Sequence, residues 1–548
     1  MSDIAGITIG PIVETISNAS SPAALWFASY FYSDISKRIC QRIYHEDSLK
    51  NTIIYVPEYD DGDTENDGVG KYNDRIIFRA DKISQQGLSN LINDVKRDSA
   101  KSFKDSTSSD VAAYLEKYLQ ISFVILPYEK DQTVGTVFSY LDTLELMRTV
   151  PEDDRYSPFS LIFKGEENSK NIRVKKSGLF KKIDGDENQL INYDADDKHI
   201  WRIEEIAAQK GRLLDYSDGR TENFKAVNGK KWPHYYVIVN ADGDHLGNTI
   251  KKASFENNSQ GSSRVTMFSK ACKEHAKKAA KAIREYGGIT IYAGGDDLLF
   301  LAPIIGLDGN SIFSLCYTIN NGFGQIMKDK GFENLDGTLM SLSFGVAIHY
   351  YKFPLYEALE KSRDLLFQSK KYSRNAMAIS LSKHSDQSIG FLFQNKDNAA
   401  IQSIIDLGHD NGRDSDKEVM IITSISKTLL NYSTLEQILF NHARDSNMSE
   451  QSFIKMWLNS FDNPNQKVEI DTSFDIETGC NESETKDSIN YFYTETGKLF
   501  YEHFIKSPVR MSVFADENST TKLTEDSITC FISLLEFRKF MCEKEGER

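Results

Sequence analysis

Two short motifs near the middle of the chain carry closely spaced aspartates. Residues 292–300 read YAGGDDLLF and place Asp296 and Asp297 directly after two glycines, between apolar runs typical of strands. Gly294 and Gly295 permit the positive φ of a two-residue hairpin turn and leave room for an approaching ligand. Adjacent carboxylates on such a turn offer the oxygen ligands that Mg²⁺ prefers. The motif predicts a metal site, and an ordinary Gly-Asp hairpin is the alternative.

The second motif strengthens the metal-site interpretation. Residues 237–248 read VIVNADGDHLGN, so an apolar strand leads to Asp242 and Asp244 at alternate positions, with the Gly243 carbonyl left accessible. A strand with Asp-x-Asp, a helix and a GGDD hairpin can place carboxylates from adjacent strands around a pair of metal ions. Two such ions activate a 3′-hydroxyl and stabilise the leaving pyrophosphate during an in-line displacement.

A third motif is basic. Residues 368–375 read QSKKYSRN and close a predicted helix before a predicted strand. Lys370 offers a point charge and Arg374 a planar fork to triphosphate oxygens. Basic residues are also favoured at helix C-termini in general, which is the alternative interpretation.

These motifs lie in the second of two similar successions of elements. Residues 1–130 are predicted to run strand, helix, two strands, helix, strand, which is the split β-α-β order of ferredoxin-like palms. The predicted strands cover 7–16, 53–56, 75–79 and 121–126, and the predicted helices cover 23–44 and 87–116.

The rest of the chain divides into three further parts. Residues 131–228 are predicted to form a polar, mostly helical connector, residues 229–395 a second palm that holds the three motifs, and residues 396–548 a helical domain. In the second palm the predicted strands lie at 235–240, 289–303 (two strands), 339–349 and 376–381, and the helices at 263–286, 311–330 and 354–372. The fold class is therefore α+β, with two ferredoxin-like domains as a face-to-face pair.

The composition excludes several classes of protein. Of 548 residues, 40% are hydrophobic and 26% are charged, as in a soluble globular protein of several domains. No run approaches the roughly 20 apolar residues of a membrane span, and the first residues lack a signal-peptide pattern, so we expect a cytoplasmic protein. The six cysteines stand singly, which predicts neither a disulfide framework nor a zinc site. A net charge of -15 argues against nonspecific coating of nucleic acid.

Taken together, the motifs resemble a known family. The GGDD hairpin, the Asp-Gly-Asp strand and the KKYSRNA segment at 370–376 are similar to the active palm of the large subunit of type III CRISPR effector complexes, a relative of the GGDEF and class III nucleotidyl cyclase palms. TIGPI at 8–12, ALW at 24–26 and SY at 29–30 resemble the first palm of that family, in particular its type III-B branch. The resemblance covers residues 5–395, and the C-terminal region matches only in position and helical character.

The resemblance implies an activity. The two palms would pair and cradle two ATP molecules, and the complex, activated by target RNA, would convert ATP to a signalling nucleotide for antiviral defence. The product is cyclic oligoadenylate in most relatives, and AMP joined to another small metabolite in some. The cofactor would be Mg²⁺ or Mn²⁺. The partners would be the backbone repeat and small subunits, with guide RNA and target RNA bound through the complex and no membrane.

The resemblance also implies roles for individual residues. The main metal ligands would be Asp242 and Asp297, assisted by Asp296 and the carbonyl of Gly243, and catalysis would rest on the three aspartates. The residues that would hold nucleotide are Gly243, Gly294, Gly295, Lys370 and Arg374. Asp244 is not among the main ligands, because strand alternation can turn it away from the metal ions. The first palm has neither Asp-x-Asp nor GGDD, so it is expected to bind nucleotide without catalysing.

The chain departs from the family pattern in two places. Many relatives carry an N-terminal His-Asp nuclease domain, whereas this chain opens on its first palm, and its His409-Asp410 dipeptide lies beyond the second palm. We therefore expect no nuclease activity. Relatives often hold a zinc knuckle in the connector, but residues 156–182 contain no cysteine, so a zinc knuckle is not expected.

Two other functions remain open, a freestanding cyclic-dinucleotide synthase and a catalytically silent scaffold. The GGDD spelling, the two palms and the lack of a sensory domain favour the CRISPR subunit over the first alternative. Intact carboxylates argue against the second. The sequence leaves open the product, its ring size and the base specificity, because the metal site is the same for each.

Overall fold

The structure is a computed structural model, and it describes residues 2–17, 19–62, 68–101, 116–129, 132–147, 190–193, 199–215, 224–247, 249, 264–334, 336–383, 388–406, 415–431, 443, 448–461, 492–516, 519–524 and 526–545. None of the described helices is long and apolar enough to cross a membrane. The five cysteines within these ranges are buried thiols. The His409-Asp410 dipeptide and the segment 156–182 lie outside the described residues.

The first palm is built on a four-stranded antiparallel sheet. Its strands are β1 (Ser2–Gly10), β2 (Ile53–Val56), β3 (Arg75–Ala80) and β4 (Gln120–Tyr128), and its helices are α1 (Ile12–Ser17), α2 (Pro22–His45) and α3 (Gln85–Lys101). The sheet order is β2-β3-β1-β4, and β1 pairs antiparallel with both β3 and β4. This is the ferredoxin-like order that the sequence predicts.

The first strand differs from its prediction. The apolar run 7–16 is not one strand, because β1 ends at Gly10 and α1 begins at Ile12. Pro11 between them lacks the N–H that a neighbouring strand would need, and its fixed φ suits the entry to a helix. A single proline thus divides a continuous apolar run between a strand and a helix.

The connector is more mixed than predicted. Its described elements are α4 (Gln132–Leu146), β5 (Ile191–Asn192), β6 (His199–Ile200), α5 (Ile203–Ala207), β7 (Leu214–Asp215) and β8 (Lys225–Ala226). The short strands form two antiparallel pairs, β5 with β6 and β7 with β8. Helix α4 packs closely on β1, where a Cβ added to Gly6 would overlap Val137 and lie 3.1 Å from Leu141.

The second palm repeats the first and then extends it. Its elements are β9 (Tyr235–Gly243), α6 (Arg264–Tyr286), β10 (Ile289–Gly294), β11 (Asp297–Pro303), α7 (Ile312–Asp329), β12 (Leu342–Tyr350), α8 (Leu355–Tyr372), β13 (Ala376–Ser382) and β14 (Ser388–Gln394). The order β10-β11-β9-β12 is the ferredoxin-like order again. Strand β13 pairs parallel to β12, and β14 pairs antiparallel to β13.

Strand β9 is buried on both faces because its side chains alternate between two cores. Val239 shares one core with Cys272 of α6, and Ile238 shares the other with Leu359 of α8. Helices α6 and α7 cover the first face, and α8 covers the second. A strand covered in this way is held rigidly, which suits an element that positions a catalytic group.

The C-terminal region contributes strands as well as helices. Its described elements are α9 (Asn398–Ile405), α10 (Ser415–Asn431), α11 (Glu450–Phe461), a π-helical turn (Tyr501–Lys506), β15 (Met511–Asp516), β16 (Ser519–Thr524) and α12 (Ser527–Cys542). The β15–β16 hairpin, which the sequence analysis did not predict, pairs with β14 and brings the second sheet to eight strands. The division of the chain at residues 130, 228 and 395 stays a prediction.

The two palms meet along the edge of the second sheet. The Ala293 amide on edge strand β10 donates to the Gly70 carbonyl of the first palm at 2.9 Å, and Gly70 bridges to Tyr292. Trp26 of α2 donates its indole N–H to the Gly68 carbonyl at 2.6 Å, which ties the docking segment to the first palm. Backbone from one palm therefore covers an edge that would otherwise be open to another chain.

Candidate active site

The three aspartates of the two motifs come together at one end of the second sheet. In the antiparallel pair β9–β11, Ala241 lies opposite Leu298, so the same register brings Asp242 beside Asp297. Asp296 precedes Asp297 on the turn between β10 and β11. Oxygens of the three carboxylates lie within 4.8 Å of one another. Adjacent strand ends thus gather an all-oxygen group that can hold a hard divalent cation.

The hairpin turn depends on its glycines. Gly295 has a φ of +66°, the left-handed geometry that a type II′ turn needs at its first loop position. A Cβ there would also lie 2.7 Å from the side-chain nitrogen of Asn73 in the first palm. Gly294 ends β10, pairs with Asp297 and leaves no room for a Cβ beside the ring of Tyr292.

Gly243 lets the two motifs approach each other. A Cβ on Gly243 would overlap the Leu246 side chain and lie 2.9 Å from the Cβ of Asp296. A larger residue would therefore push β9 away from the hairpin and separate the carboxylates. The Gly243 carbonyl oxygen also lies at the cluster, where it accepts a hydrogen bond from Lys370.

Lys370 reaches the carboxylates from the end of α8. Its ammonium forms an ion pair with Asp242 and donates to the Gly243 carbonyl oxygen at 3.0 Å. Arg374 lies on the turn that follows α8, exposed and with a φ of +54°. Of the two basic residues that were predicted to meet phosphates, Lys370 alone touches the cluster within the described part of the chain.

The carboxylates perturb one another. Burial and the charge of Asp242 raise the pKa of Asp296 to about 7. Burial and the charges of Asp296 and Asp242 raise the pKa of Asp297 well above its ordinary range, and repulsion weighs more than burial because Asp297 is open to solvent. Lys370 opposes both shifts only in part. A divalent cation would relieve this repulsion, so the donor set fits Mg²⁺ or Mn²⁺.

Asp244 does not join the cluster. Its side chain is buried, with 1% of the residue exposed, and the chain turns away from β9 at His245, which has a φ of +62°. The Asp244 oxygens accept hydrogen bonds of 2.8 Å from the hydroxyls of Ser341 and Ser343 and from the Asn375 amide. Asp244 is thus committed to the protein rather than to a ligand.

A cavity of about 560 Å³ opens beside the carboxylates, between the two palms. Its wall in the second palm includes Phe268, Cys272, Gly295, Asp296 and Asp297, and its wall in the first palm includes Lys71, Asn73, Asp74 and Arg75. The sequence motifs did not predict the first-palm wall. The repeated plan was the available signal, because Arg75 begins β3 in the first palm as Asp297 begins β11 in the second.

Arg75 occupies in the first palm the position that Asp297 occupies in the second. Arg75 lies opposite Thr8 of β1, just as Asp297 lies beside Asp242 across β11 and β9. Its guanidinium donates to both oxygens of Glu145 at 2.9 and 2.8 Å and forms an ion pair with Asp142 at 2.8 Å. The first palm therefore has a paired cation where the second has a carboxylate of the aspartate cluster.

Comparison with known proteins agrees with this geometry. Residues 235–378 match the family model described as Cas10/Cmr2, second palm domain, and this span holds all three motifs. The second palm is therefore similar to that of the Cas10/Cmr2 family. A curated relative, the CRISPR system Cmr subunit Cmr2 of Pyrococcus furiosus, is 32% identical over 180 residues, which cover 28% of this chain and 19% of the relative. The alignment thus spans less than a fifth of that relative's length.

Solved structures resemble this chain over most of its length. A chain of the type III-B Cmr-beta complex in its apo state gives a TM-score of 0.53 at 12% identity, covering 99% of this chain and 82% of that one. A chain of the Csm1–Csm4 cassette in complex with cA4 gives a TM-score of 0.48 at 11% identity, covering 91% and 69%. The first likeness shows a shared fold. The predicted resemblance to the family and the predicted fold class are both confirmed.

Proposed function

We propose that this chain is the large subunit of a type III CRISPR effector complex and that its second palm transfers a nucleotidyl group from ATP. The observation that carries the proposal is the set of three carboxylates at adjacent strand ends, facing a cavity of a size typical for small-molecule ligands. The product would be cyclic oligoadenylate, or AMP joined to another small metabolite. Either product would act as a signal in antiviral defence.

We propose that Asp242, Asp296 and Asp297, with the Gly243 carbonyl, hold Mg²⁺ or Mn²⁺. Their mutual repulsion supports this, because a cluster of like charges is stabilised by a bound cation. A divalent cation bound there would supply Lewis-acid stabilisation of the charge that develops on the phosphate oxygens. The rigid strand ends keep the carboxylates in place without reorganisation during the reaction.

The basic residues of α8 and its following turn would orient the triphosphate. Lys370 already lies at Asp242 and Gly243, so its ammonium can turn from the carboxylate to a phosphate oxygen a short distance away. Arg374 would meet phosphate oxygens from the exposed turn. Gly294 and Gly295 would allow the nucleotide to approach the backbone of the hairpin.

The first palm would bind the second reactant without catalysing. Arg75 in place of an aspartate supports this, because a guanidinium held by Glu145 and Asp142 cannot ligate a metal ion. The same group, together with Lys71 and Asn73, offers donors to a ligand in the shared cavity. The two palms would thus contribute one binding wall and one catalytic wall.

Binding of target RNA to the assembled complex would activate the second palm. We propose the backbone repeat and small subunits as protein partners, with guide RNA and target RNA bound through them, in the cytoplasm. The net charge of -15 supports indirect contact with RNA, since most of the phosphate neutralisation would then come from partner subunits.

The test uses the purified complex with labelled ATP, target RNA and Mg²⁺ or Mn²⁺, followed by mass spectrometry of the products with and without candidate acceptor metabolites. We expect a product that requires target RNA and that disappears with excess chelator. Full activity in chelator would exclude the metal-dependent mechanism. Turnover by the isolated chain without RNA would favour a freestanding synthase, and no turnover under any condition would favour a scaffold.

A further inference from the structure

Asp244 is the most completely engaged polar side chain near the candidate site. One oxygen accepts from Ser343, and the other accepts from Ser341 and from the Asn375 amide, all at 2.8 Å. Its own amide donates to the Ser341 carbonyl at 2.9 Å. A buried carboxylate with three donors is a strong anchor, because charged acceptors make stronger hydrogen bonds than neutral ones.

Asn375, whose amide donates to Asp244, belongs to the basic segment 368–375. Arg374 and Asn375 both have positive φ, at +54° and +43°, which side chains larger than glycine rarely adopt. The Asn375 side-chain oxygen accepts from Asn320 at 3.3 Å and from Asn395 at 3.0 Å. Hydrogen bonds between Asn375 and the buried residues Asp244, Asn320 and Asn395 therefore hold the turn in a conformation that it would not favour by itself.

The anchor connects two parts of the site that are distant in sequence. Asp244 follows the metal-site strand β9 by one residue, and Asn375 follows Arg374 by one residue. Lys370, at the other end of the segment, contacts Asp242 and Gly243 on the same strand end. The segment that carries both predicted phosphate ligands is thus fastened to β9 at two places.

We propose that Asp244 is a positioning residue, which holds Lys370 and Arg374 against the metal-site strand through the backbone of Asn375. The proposal rests on the proposed function of this site. Asp244 would not contact substrate or metal, because its oxygens face Ser341, Ser343 and Asn375. Its effect would be on how tightly the triphosphate is held rather than on metal binding.

The test compares Asp244→Ala and Asp244→Asn within the assembled complex. Asp244→Ala should raise KM for ATP about tenfold with a smaller change in kcat, because the phosphate-binding segment is no longer fixed. Asp244→Asn should restore most of the loss, since an amide oxygen can still accept from Asn375 while its NH₂ donates to a serine hydroxyl. Glu418→Gln is a matched control, because it alters a buried carboxylate that binds Arg538, in the C-terminal helices.

Two readouts do not require turnover. Affinity for Mn²⁺ alone should stay within about twofold in Asp244→Ala and fall at least tenfold in Asp297→Ala. Hydrogen exchange of the peptide that contains residues 369–376 should speed up in Asp244→Ala and not in Glu418→Gln. These two results test the anchor even if the complex does not convert ATP, which would contradict the proposed function instead.

Several results would overturn the proposal. If Asp244→Ala lowers the affinity for Mn²⁺ as much as Asp297→Ala does, Asp244 is a metal ligand. If Asp244→Ala changes neither KM for ATP nor the hydrogen exchange of residues 369–376, its hydrogen bonds do not position the segment. A loss of melting temperature in Asp244→Ala and Glu418→Gln alike, with equal changes in KM, would show a general structural role. If Asp244→Ala does not fold, Ser341→Ala with Ser343→Ala removes two of the three hydrogen bonds, and an unchanged KM there would count against the proposal.

Discussion

Asp242, Asp296 and Asp297 form a group that the isolated protein would be more stable without. Each carboxylate is held near the others by its strand, and the result is a raised pKa for Asp296 and Asp297. Structural residues are rarely arranged in this way, since nearby like charges oppose folding. The arrangement is typical of sites that bind a cation and perform chemistry.

Changing Asp296 and Asp297 together to Ala should abolish product formation and leave folding and assembly intact. Loss of metal ligands removes several kcal/mol of stabilisation of the displacement, which corresponds to a rate loss of about a thousandfold or more. Lys370→Ala should instead weaken triphosphate binding, so excess ATP should partly restore its rate. ATP conversion and complex assembly are measured side by side, and near-normal turnover by the double variant would exclude this hairpin as the catalytic centre.

The raised pKa of Asp296 predicts a pH dependence of stability in metal-free protein. Its folded pKa of about 7 exceeds the unfolded value of about 3.9, so folding is favoured at low pH and loses stability as pH rises through this interval. Asp296→Asn cannot ionise and should not show this loss. The melting temperatures of Asp296→Asn and of the unchanged protein are compared in chelator at pH 5 and at pH 8. The variant's melting temperature minus that of the unchanged protein should be about 2–4 °C larger at pH 8 than at pH 5. A difference that is constant with pH would contradict the shift.

Helix α8 is the element on which Lys370 depends, and its position is set by one glycine. A Cβ on Gly345 of β12 would overlap the Ser362 carbonyl oxygen and the Leu366 amide, and would lie 2.9 Å from the Leu366 Cα. These are backbone atoms, which cannot move aside as a flexible side chain can. The helix can therefore lie this close to the sheet only because position 345 lacks a side chain.

Gly345→Ala should displace α8 and lower both stability and turnover. Overpacking against backbone costs about 1–3 kcal/mol or more, and the displaced helix would carry Lys370 away from Asp242. Gly322→Ala is the matched control, because nothing lies within 4 Å of a Cβ there and the residue is within α7. We expect that change to stabilise by about 0.5–1 kcal/mol. Thermal melts and ATP turnover of both variants check the pair, and equal effects would contradict the packing argument.

At the scale of the whole molecule, one cavity lies between the aspartate cluster of the second palm and a wall of the first palm. The edge contact between Gly70 and β10 fixes the two palms at a short distance, so residues of the first palm lie beside the carboxylates of the second. Neither palm alone encloses the site. Changes in the first palm should therefore alter a reaction whose proposed metal ligands all lie in the second.

Arg75→Ala tests this dependence. It removes a cation from the cavity and leaves Glu145 and Asp142 without their arginine, so kcat/KM for ATP should fall about tenfold. Arg42→Ala is the matched control, since Arg42 forms an exposed ion pair with Asp98, and exposed pairs contribute about 0–1 kcal/mol. Steady-state kinetics of both complexes provide the measurement. Equal activities would mean that the first palm does not contribute to the site.

The sequence by itself determined the order of strands and helices in both palms and the residue types at the candidate site. Local patterns sufficed because the GGDD sequence favours a tight turn, and an apolar run that leads to Asp242 favours a strand with a polar end. The repeated order of strands and helices then determined the ferredoxin-like sheets. These are short-range consequences of residue type, so they can be read without knowing which elements touch.

Only the tertiary structure decided which groups share the site. Asp244 was an ambiguous candidate until its partners Ser341, Ser343 and Asn375 were brought to it from distant parts of the chain. Arg75 gained significance only when the first palm was docked against the second. The β15–β16 hairpin likewise forms a strand pair because β14 offers it an edge. Each of these depends on contacts between residues far apart in sequence, which local propensity does not specify.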